Sequence, residues 1–465
     1  MPVDHFPDES KYEPHSNATF SNRFWFDTTY YEPGGPVTIL QSGETDATGR
    51  LPFMQKGILK MISEATGGIS VILEHRYYGE SFPTEDLSTE NLRFLTTEQA
   101  LADQVYFAQN VVFPGLEDQD LTSKTTAYLT YGGSYAGAFV AFLRVKYPDT
   151  FWGAISSSGV TVAIYDFWEY FAPVAEYGPP LCIATQKLFT DIVDNILIGK
   201  NDSALTTQLK AAFGMPNITD IRDFANQLSG GIGYWQSLNW DPEVSSPEFY
   251  NYCNNITTYD VLYPSTEASR DTAASLIQAG GYDAPKYLVN QMLNYIGYIN
   301  ATAVARCDSL NQDECFSNLN ATYYAQDSLE DYDWRSWAFQ YCSEWGYLQV
   351  GSSWPEGEMG VISRTIDLDY ASFVCKAAFG IEEPSNVELI NQYGGYDIEA
   401  DRLAIIDGEF DPWRPATPHA YGGLSSLPPV LLPLMQQANA DPYPLQTKAP
   451  NPATAPSSAP SISSP

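Results

Sequence analysis

The chain has 465 residues, of which 44% are hydrophobic and 14% aromatic, so it carries ample apolar surface for a folded core. This length exceeds that of one small core and indicates either two domains or one core with a large insertion. Fifty-seven acidic residues against 23 basic ones give a net charge of −34. Such a charge excludes nucleic acids and anionic membranes as partners. It either serves only to keep the protein soluble or adapts it to an acidic medium.

Short apolar runs alternate with helical patterns along the first third of the chain. Buried strands are predicted at 36–41, 69–74, 126–131 and 151–156, with a further one at 402–407. Helices are predicted at 51–65, 96–112 and 135–146, the second with Thr96 or Thr97 as its N-cap. Repeated strand–helix units predict an α/β fold, a mostly parallel sheet with helices on both faces.

The alternation stops near residue 167. Residues 167–381 have largely helical patterns, are rich in Tyr and Trp and hold every cysteine, which predicts an inserted helical lobe cross-linked by disulfides. Residues 1–166 and 382–423 then form the two parts of one core, the second of them truncated. The Pro/Ser/Ala-rich segment 424–465 has too little apolar surface to offset its ordering entropy, and we expect it to be disordered.

The six cysteines all lie in the middle of the chain. No pair has the C-x-x-C spacing of a zinc site and no histidine lies among them. The sequence therefore predicts no metal, but three disulfides formed in an oxidising compartment. The cysteines are Cys182, Cys253, Cys307, Cys315, Cys342 and Cys375.

Six N-x-S/T sequons agree with an oxidising compartment and predict a glycoprotein that is secreted or lies in a vacuolar or lysosomal lumen. The N-terminus has no basic stretch followed by an apolar one, so we expect either that a signal peptide preceded it or that the start of the sequence is misplaced. No apolar run reaches the roughly 18 residues of a membrane span. No nucleotide or phosphate motif indicates a cofactor. The sequons begin at Asn17, Asn201, Asn217, Asn255, Asn300 and Asn320.

The clearest chemical motif is the segment Y-G-G-S-Y-A-G at residues 131–137. Its central part approximates the nucleophile elbow G-x-S-x-G, in which small residues flank a serine on a strained strand-to-helix turn. Glycine and serine runs are also common in ordinary loops, but here a predicted strand precedes the motif and a predicted helix follows it. This context makes Ser134 the candidate nucleophile of a serine hydrolase.

Two backbone groups and one carboxylate are candidates to assist Ser134. The N–H of Tyr135 lies at a helix N-terminus, where it can stabilise an oxyanion. Gly43, in the loop after an earlier strand, permits the close backbone approach that a second donor needs, and an ordinary glycine turn explains it equally well. Asp411 follows the last predicted strand, where it either orients a histidine or belongs to a common Asp-Pro turn.

Three segments in this order resemble one serine peptidase family: L-E-H-R-Y-Y-G-E-S at 73–81, G-G-S-Y-A-G at 132–137 and G-E-F-D-P-W at 408–413. The family contains lysosomal Pro-X carboxypeptidase, dipeptidyl peptidase II and the fungal acid prolyl endopeptidases. The resemblance is closer to the secreted fungal members and extends over about residues 3–418.

This resemblance implies an α/β-hydrolase core with a helical cap inserted after the strand that follows the nucleophile helix. It implies cleavage on the carboxyl side of proline, usually at acidic pH, with Ser134 as nucleophile and Asp411 as the triad acid. It also implies the cystine pairs 182–253, 307–315 and 342–375, one of the fifteen connectivities that six cysteines allow.

The family's triad histidine follows the aspartate by some tens of residues, and no histidine stands at such a position here. Because geometry and not chain order defines a triad, His75 and His419 both remain candidates for the base, against a surface or packing role. Without a base, Ser134 does not readily lose its proton during attack. The four histidines are His5, His15, His75 and His419.

A pocket for proline needs flat apolar walls. Trp345 and Tyr347, in a segment that resembles one near the family's site, are candidates for these walls, with simple packing as the alternative. Glu344 or Glu44 is a candidate partner for a substrate amine.

These features favour a secreted serine peptidase that cleaves proline-containing peptides or proteins through an acyl-enzyme. A catalytically inactive, peptide-binding glycoprotein of the same fold is the alternative, because the family's histidine is missing. An esterase on the same core is a third possibility.

Overall fold

The computed structural model describes residues 1–200, 202–239, 241–309 and 311–420. The sequon at Asn201 and the predicted disordered segment 424–465 lie outside these residues. So does the end of the second core segment, predicted for 382–423.

Eight strands occur among the described residues: β1 (Phe24–Asp27), β2 (Val37–Gln41), β3 (Ile69–Leu73), β4 (Tyr128–Gly133), β5 (Gly153–Ser157), β6 (Ile164–Asp166), β7 (Gly346–Leu348) and β8 (Leu403–Ile406). Six of them form the central sheet in the order β1-β3-β2-β4-β5-β8. β1 runs antiparallel to β3, and every other neighbouring pair in this sheet is parallel. β6 and β7 form a separate parallel pair.

The five strands predicted for the core are confirmed, each within two residues of its predicted bounds. Every residue of β2 and of β3 is buried, as expected for parallel strands that helices cover on both faces. β1 escapes sequence prediction because its four residues lie at the sheet edge and are only half-buried. The α/β fold class is confirmed by this mostly parallel sheet.

Helices connect and surround these strands. They are α1 (Pro52–Gln55), α2 (Ile58–Thr66), α3 (Thr89–Leu92), α4 (Thr97–Asn110), α5 (Tyr135–Lys146), α6 (Ala172–Tyr177), α7 (Pro180–Asp194), α8 (Ser203–Ala212), α9 (Ile221–Gly233), α10 (Glu248–Thr257), α11 (Arg270–Ala279), α12 (Lys286–Thr302), α13 (Gln312–Phe316), α14 (Ala321–Tyr324), α15 (Tyr332–Gln340), α16 (Leu368–Ala371), α17 (Phe373–Phe379) and α18 (Glu388–Asn391).

The helices of the first part of the core form close to where the sequence predicts them. Thr96 caps α4 by accepting the N–H of Gln99. α5 has its predicted bounds, and its residues 135–144 are all buried, because apolar and small side chains cover every side of it. The single helix predicted at 51–65 is wrong: α1 and α2 are separate because Gly57 is extended between them.

The chain between β6 and β8 is mostly helical and contains all three disulfides. Cys182–Cys253 joins α7 to α10, and Cys307–Cys315 and Cys342–Cys375 close shorter loops. These are the pairs that the family resemblance implies. In the part of the chain that the structure describes, no helix is long and apolar enough to cross a bilayer.

The described sequon asparagines differ in exposure. Asn17, Asn217 and Asn320 are exposed. Asn255 and Asn300 are half-buried, and their Nδ2 atoms donate to backbone carbonyls one helical turn earlier. The amide nitrogen that a glycan joins is therefore more accessible at the first three positions.

The segment 73–81, one of the three family-like segments, connects distant parts of the core through buried ion pairs. Glu74 accepts from Nε of Arg23 at 2.8 Å and from its Nη2 at 2.6 Å. Arg76 is fully buried and binds Asp103 of α4 in the same fork geometry, at 2.6 and 2.8 Å. Two charged pairs thus fix the loop after β3 to β1 and to α4.

Arg76→Met is expected to destabilise the fold, because it leaves the Asp103 carboxylate buried without its guanidinium. Removing one partner of a buried ion pair costs about 3–5 kcal/mol. The urea unfolding midpoint, followed by tryptophan fluorescence, measures the loss. Lys60→Met breaks an exposed pair with Glu64 and serves as the control that leaves the midpoint nearly unchanged. Equal shifts in both variants would contradict the role given to the buried pair.

Candidate active site

The carboxyl ends of four neighbouring strands bring the candidate residues together. Leu40 of β2 pairs with Tyr131 of β4, so Gly43 and Ser134 each lie three residues beyond a matched pair. Ser157 of β5 pairs both with Gly133 and with β8. Because neighbouring strands lie about 4.8 Å apart, the loops after β2, β4, β5 and β8 meet at one edge of the sheet.

Ser134 stands at the sharp turn between β4 and α5. Its backbone is left-handed, with φ 58° and ψ −128°, a strained conformation for a residue with a Cβ. Its N–H donates to the carbonyl of Ser157 at 2.9 Å, which holds the turn against β5. The residue is exposed. The strand-to-helix geometry of a nucleophile elbow is therefore present, with the serine open to solvent.

Glycines make this turn possible by allowing backbone segments to approach closely. A Cβ on Gly132 would lie 2.0 Å from the carbonyl oxygen of Ala136. A Cβ on Gly137 would lie 2.8 Å from both the Ser157 oxygen and Gly159 Cα. Ala136 itself fits the position that is glycine in G-x-S-x-G, buried beside the loop after β2.

Tyr135 has two separate roles at the elbow. Its backbone N–H belongs to the first turn of α5, where N–H groups lack intrahelical acceptors. Its buried hydroxyl contacts Nε2 of His75 at 2.9 Å and accepts from Nε2 of Gln340 at 2.9 Å. This hydroxyl network fixes Tyr135, the residue that follows Ser134.

His75 is part of this network, because both of its ring nitrogens have partners. Nδ1 contacts the carbonyl of Arg76 at 2.7 Å, and Nε2 contacts the Tyr135 hydroxyl. Burial lowers the pKa of His75 to about 4. The structure thus gives His75 the packing role that the sequence left open, beneath the elbow and not on its exposed side.

Gly43 has the left-handed conformation, φ 78°, that the loop after β2 requires. Its N–H donates to Oε1 of Gln41 at 2.5 Å. The Ser42 hydroxyl accepts the N–H of His75 at 3.2 Å, which ties this loop to the one after β3. In this arrangement the Gly43 N–H is already hydrogen-bonded to Gln41. It can donate to an oxyanion only after that hydrogen bond breaks.

Asp411 lies five residues beyond β8 in a half-buried turn. Its Oδ1 accepts the N–H of Trp413 at 2.9 Å. Burial raises the pKa of Asp411, the hydrogen bond from Trp413 opposes this, and the charge of nearby Asp407 adds to the rise. Ser158, in the loop after β5, also hydrogen-bonds to this carboxylate, so Asp411 faces the same edge as Ser134.

The imidazole of His419 binds a different carboxylate. Its Nδ1 lies 2.5 Å from Oδ2 of Asp407, the residue directly after β8, and both side chains are buried. His5 and His15 contact Asp103 and Asp4, far from the elbow in sequence. Among the described residues, no histidine contacts Asp411.

The three residues considered for a substrate pocket lie in the interior. Trp345 is 0% exposed and its Nε1 donates to the Thr97 hydroxyl at 3.1 Å. Glu344 accepts the N–H and the hydroxyl of Thr97, both at 2.9 Å. Burial raises the pKa of Glu344 to about 7, against the effect of these two bonds. Tyr347 donates to the backbone carbonyls of Val160 and Val162, in the loop between β5 and β6. Trp345 and Tyr347 therefore pack in the interior, which is the alternative that the sequence left open for them.

Glu44 and Arg50 belong to the loop after β2, in which a Cβ built on Gly43 would lie 3.6 Å from Cβ of Ala136. Glu44 is half-buried, and burial raises its pKa while its own N–H and Arg50 oppose that rise. Arg50 donates from Nε to the carbonyl of Ser42 at 3.2 Å. No sequence signal singles out Arg50, because an arginine in a loop has no characteristic spacing. In the described ranges, no cluster of three or more His, Cys, Asp or Glu side chains suits a metal ion.

The chain matches the family described as Serine carboxypeptidase S28 over residues 2–450. It is 53% identical over 424 residues to the "Probable extracellular serine carboxypeptidase" of Arthroderma benhamiae, covering 90% of this chain and 59% of that protein. It is 29% identical over 415 residues to "Serine protease vicPb" of Bipolaris victoriae, covering 86% and 75%. Among solved structures, the proline iminopeptidase of Mycobacterium smegmatis aligns with a TM-score of 0.27 and 14% identity, over 54% of this chain and 63% of that one.

The parallel sheet and the strand-to-helix elbow with its exposed serine define an α/β-hydrolase. The family match covers nearly the whole chain, and the protein belongs to the serine carboxypeptidase S28 family. It spans 59% of the length of the relative from Arthroderma benhamiae.

Gly137→Val is expected to destabilise the elbow, because the new side chain meets backbone atoms of β5 and Gly159 that have no room to move. We expect a loss of about 3 kcal/mol, typical of an overpacked site. Thermal unfolding monitored by circular dichroism measures it. Gly49→Val is the matched control, since a Cβ at Gly49 meets nothing within 4 Å. A Gly137→Val protein as stable as the control would refute this account of the turn.

Proposed function

We propose that the protein is a serine peptidase that cleaves peptide bonds on the carboxyl side of proline through an acyl-enzyme. The observation that carries the proposal is the exposed Ser134 with its left-handed backbone at the β4–α5 elbow, in a chain of the S28 family. The strain holds the hydroxyl at the strand end, where it can attack a carbonyl without first reorganising.

The proposed chemistry assigns each group to one step. The Ser134 hydroxyl attacks the scissile carbonyl, and its proton passes to a general base. The Tyr135 N–H, at the positive end of α5, stabilises the oxyanion that forms. Asp411 serves as the acid that orients the base and stabilises its cation. The C–N bond then breaks as the base returns the proton to the leaving amine, and water hydrolyses the acyl-enzyme to release the acyl group from Ser134.

In this proposal, residues 167–381 form a helical cap that closes over the site. Contacts between this region and the turn that holds Asp411 support it. Nε1 of Trp235 donates to the carbonyl of Phe410 at 2.8 Å, and Nε1 of Trp413 donates to Oε1 of Gln236 at 3.0 Å. The helical region therefore touches the acid side of the elbow directly.

We further propose that the protein acts in an acidic extracellular or vacuolar medium. Three disulfides support an oxidising compartment. The net charge of −34 is relieved when carboxylates take up protons, so the chain tolerates low pH better than a balanced one. The name of the Arthroderma benhamiae relative also refers to an extracellular protein.

A second candidate function is peptide binding without hydrolysis. The observation that favours it is that no described histidine contacts Asp411, while His419 is bound to Asp407. A serine without a base retains a small fraction of normal turnover: in subtilisin, a worked case among triad enzymes, losing the base costs about 10⁶ in kcat.

Labelling by a fluorophosphonate probe tests the nucleophile. We expect covalent labelling of the intact protein and none of Ser134→Ala, because the probe reacts only with an activated serine. In-gel fluorescence and intact mass measure the adduct. Equal labelling of both proteins would refute Ser134 as the nucleophile. A folded chain that takes up no label supports the peptide-binding candidate instead.

Hydrolysis of matched peptides tests the specificity. Peptides with proline before the scissile bond are expected to be cleaved at least tenfold faster than the same peptides with alanine, because a pocket shaped for the ring loses packing with the smaller residue. Mass spectrometry of the products over pH 4 to 8 gives the rates and their pH dependence. Equal cleavage of both series would contradict the proline preference while leaving the peptidase activity intact.

A further inference from the structure

The helical region contains a cavity of about 390 Å³ that opens to solvent. Its walls come from the end of α9, the end of α12 and the loop that the disulfide Cys307–Cys315 closes. None of the candidate active-site residues lines it. Small-molecule sites typically have volumes of roughly 300 to 1,000 Å³, so this cavity is large enough to hold a ligand.

Two neighbouring glycines of α9 line the cavity, and they differ in their surroundings. Gly231 is buried, and a Cβ there would lie 2.3 Å from Cδ2 of Tyr252. Gly230 is exposed, and a Cβ there would meet nothing within 4 Å. The missing side chain at Gly230 therefore leaves space in the cavity that the packing of α9 does not require.

The walls of the cavity are tied to one another. The Tyr295 hydroxyl donates to the carbonyl of Leu228 at 2.7 Å, which joins α12 to α9. Nε2 of Gln227 donates to the carbonyl of Phe316 at 3.4 Å, which joins α9 to α13. The disulfide closes the loop between α12 and α13 covalently. A ligand therefore meets walls that are already in place, which lowers the entropy cost of binding.

Among the described residues that line the cavity, Arg306 is the only charged one. Its side chain is exposed, and in the described part of the chain no carboxylate or other acceptor binds its guanidinium. Burial raises the pKa of Tyr298, with a smaller rise from the charge of Glu248, and the charge of Arg306 opposes it, so the guanidinium and this hydroxyl lie near each other.

Tyr298 also lines the cavity, and it carries a donor that is not in use. The side chain is 4% exposed, and its hydroxyl has no hydrogen-bond partner among the described residues. An unpaired guanidinium near an unused hydroxyl donor favours a ligand with acceptor oxygens and a negative charge.

The rest of the lining suits an aromatic ring. Tyr234, Tyr298 and Phe316 supply three aromatic side chains, which we call the aromatic wall, and Ile299 adds an aliphatic one. Rings pack favourably against such side chains in offset or edge-to-face arrangements. The cavity thus combines an apolar body with a single cation.

We propose that this cavity binds a small aromatic carboxylate, with its carboxylate paired to Arg306 and its ring packed against the aromatic wall. The guanidinium fork matches the two oxygens of a carboxylate. Because a single cation lines the cavity, a monoanion is neutralised there, whereas a phosphate dianion keeps excess charge in a chain of net charge −34. The proposal does not depend on the peptidase function, because the cavity shares no residue with the candidate active site.

Ligand-observed NMR titration of the whole chain at pH 6 and low salt tests the proposal. The probes are 3-phenylpropionate, its amide and acetate. We expect the acid to bind roughly fivefold more tightly than the amide, the upper range for an ion pair with an exposed partner such as Arg306. Acetate has the same carboxylate and no ring, and we expect its binding to be too weak to measure.

Two substitutions locate the binding, each with a matched control. Gly230→Leu places a side chain in the cavity and should weaken binding of 3-phenylpropionate roughly tenfold or more. Gly233→Leu is the control: Gly233 is also an exposed glycine of α9 with nothing within 4 Å of its Cβ position, but it does not line the cavity.

Arg306→Gln should abolish the preference for the acid over the amide without touching α9. Lys286→Gln, which removes an exposed cation at the other end of α12, should leave that preference unchanged. Circular dichroism of each variant verifies that it is folded.

The proposal is overturned by equal binding of acid and amide, by no measurable binding of the acid, or by acetate binding as tightly as 3-phenylpropionate. Full affinity in Gly230→Leu would also overturn it, by placing the ligand elsewhere on the protein. So would an equal loss in Gly233→Leu, or a preference for the acid that persists in Arg306→Gln.

Discussion

The close approach of α5 to β5 is the constraint on which the candidate site depends. Gly132, Gly137 and Gly159 let backbone atoms meet at distances that any Cβ forbids. This contact forces the chain to turn sharply between β4 and α5, and the turn leaves Ser134 in a left-handed conformation with its side chain exposed. The strain at one residue is offset by the packing of a wholly buried helix.

Beneath the elbow, buried polar groups keep the geometry in place. The Tyr135 hydroxyl connects His75 of the β3 loop to Gln340 at the end of α15, and Gln340 in turn accepts from Tyr78. Each member of this network is inside the protein, so a lost hydrogen bond leaves an unsatisfied polar group. The helical region therefore supports the elbow through Gln340.

Much of this architecture is predictable from the sequence. Parallel strands covered on both faces appear as continuous apolar runs, and the elbow has a local pattern, so β2, β3 and Ser134 can be identified directly. Contacts between distant residues have no local pattern. Glu344 meets Thr97 across 247 positions, and His419 meets Asp407 and not Asp411. An aromatic-rich segment likewise does not reveal that Trp345 is wholly buried.

Two hydrogen bonds from tryptophan indoles link the helical region to the turn that holds Asp411. Trp235 and Gln236 of the helical region hold the turn through hydrogen bonds to Phe410 and Trp413. Under the proposed function, an outward movement of the helical region that admits a long substrate breaks these bonds, and the Asp411 carboxylate then loses its support. A substrate short enough to enter without that movement leaves the proposed acid in place. Substrate length is then limited by the turn that holds Asp411 as well as by contacts with the substrate's side chains.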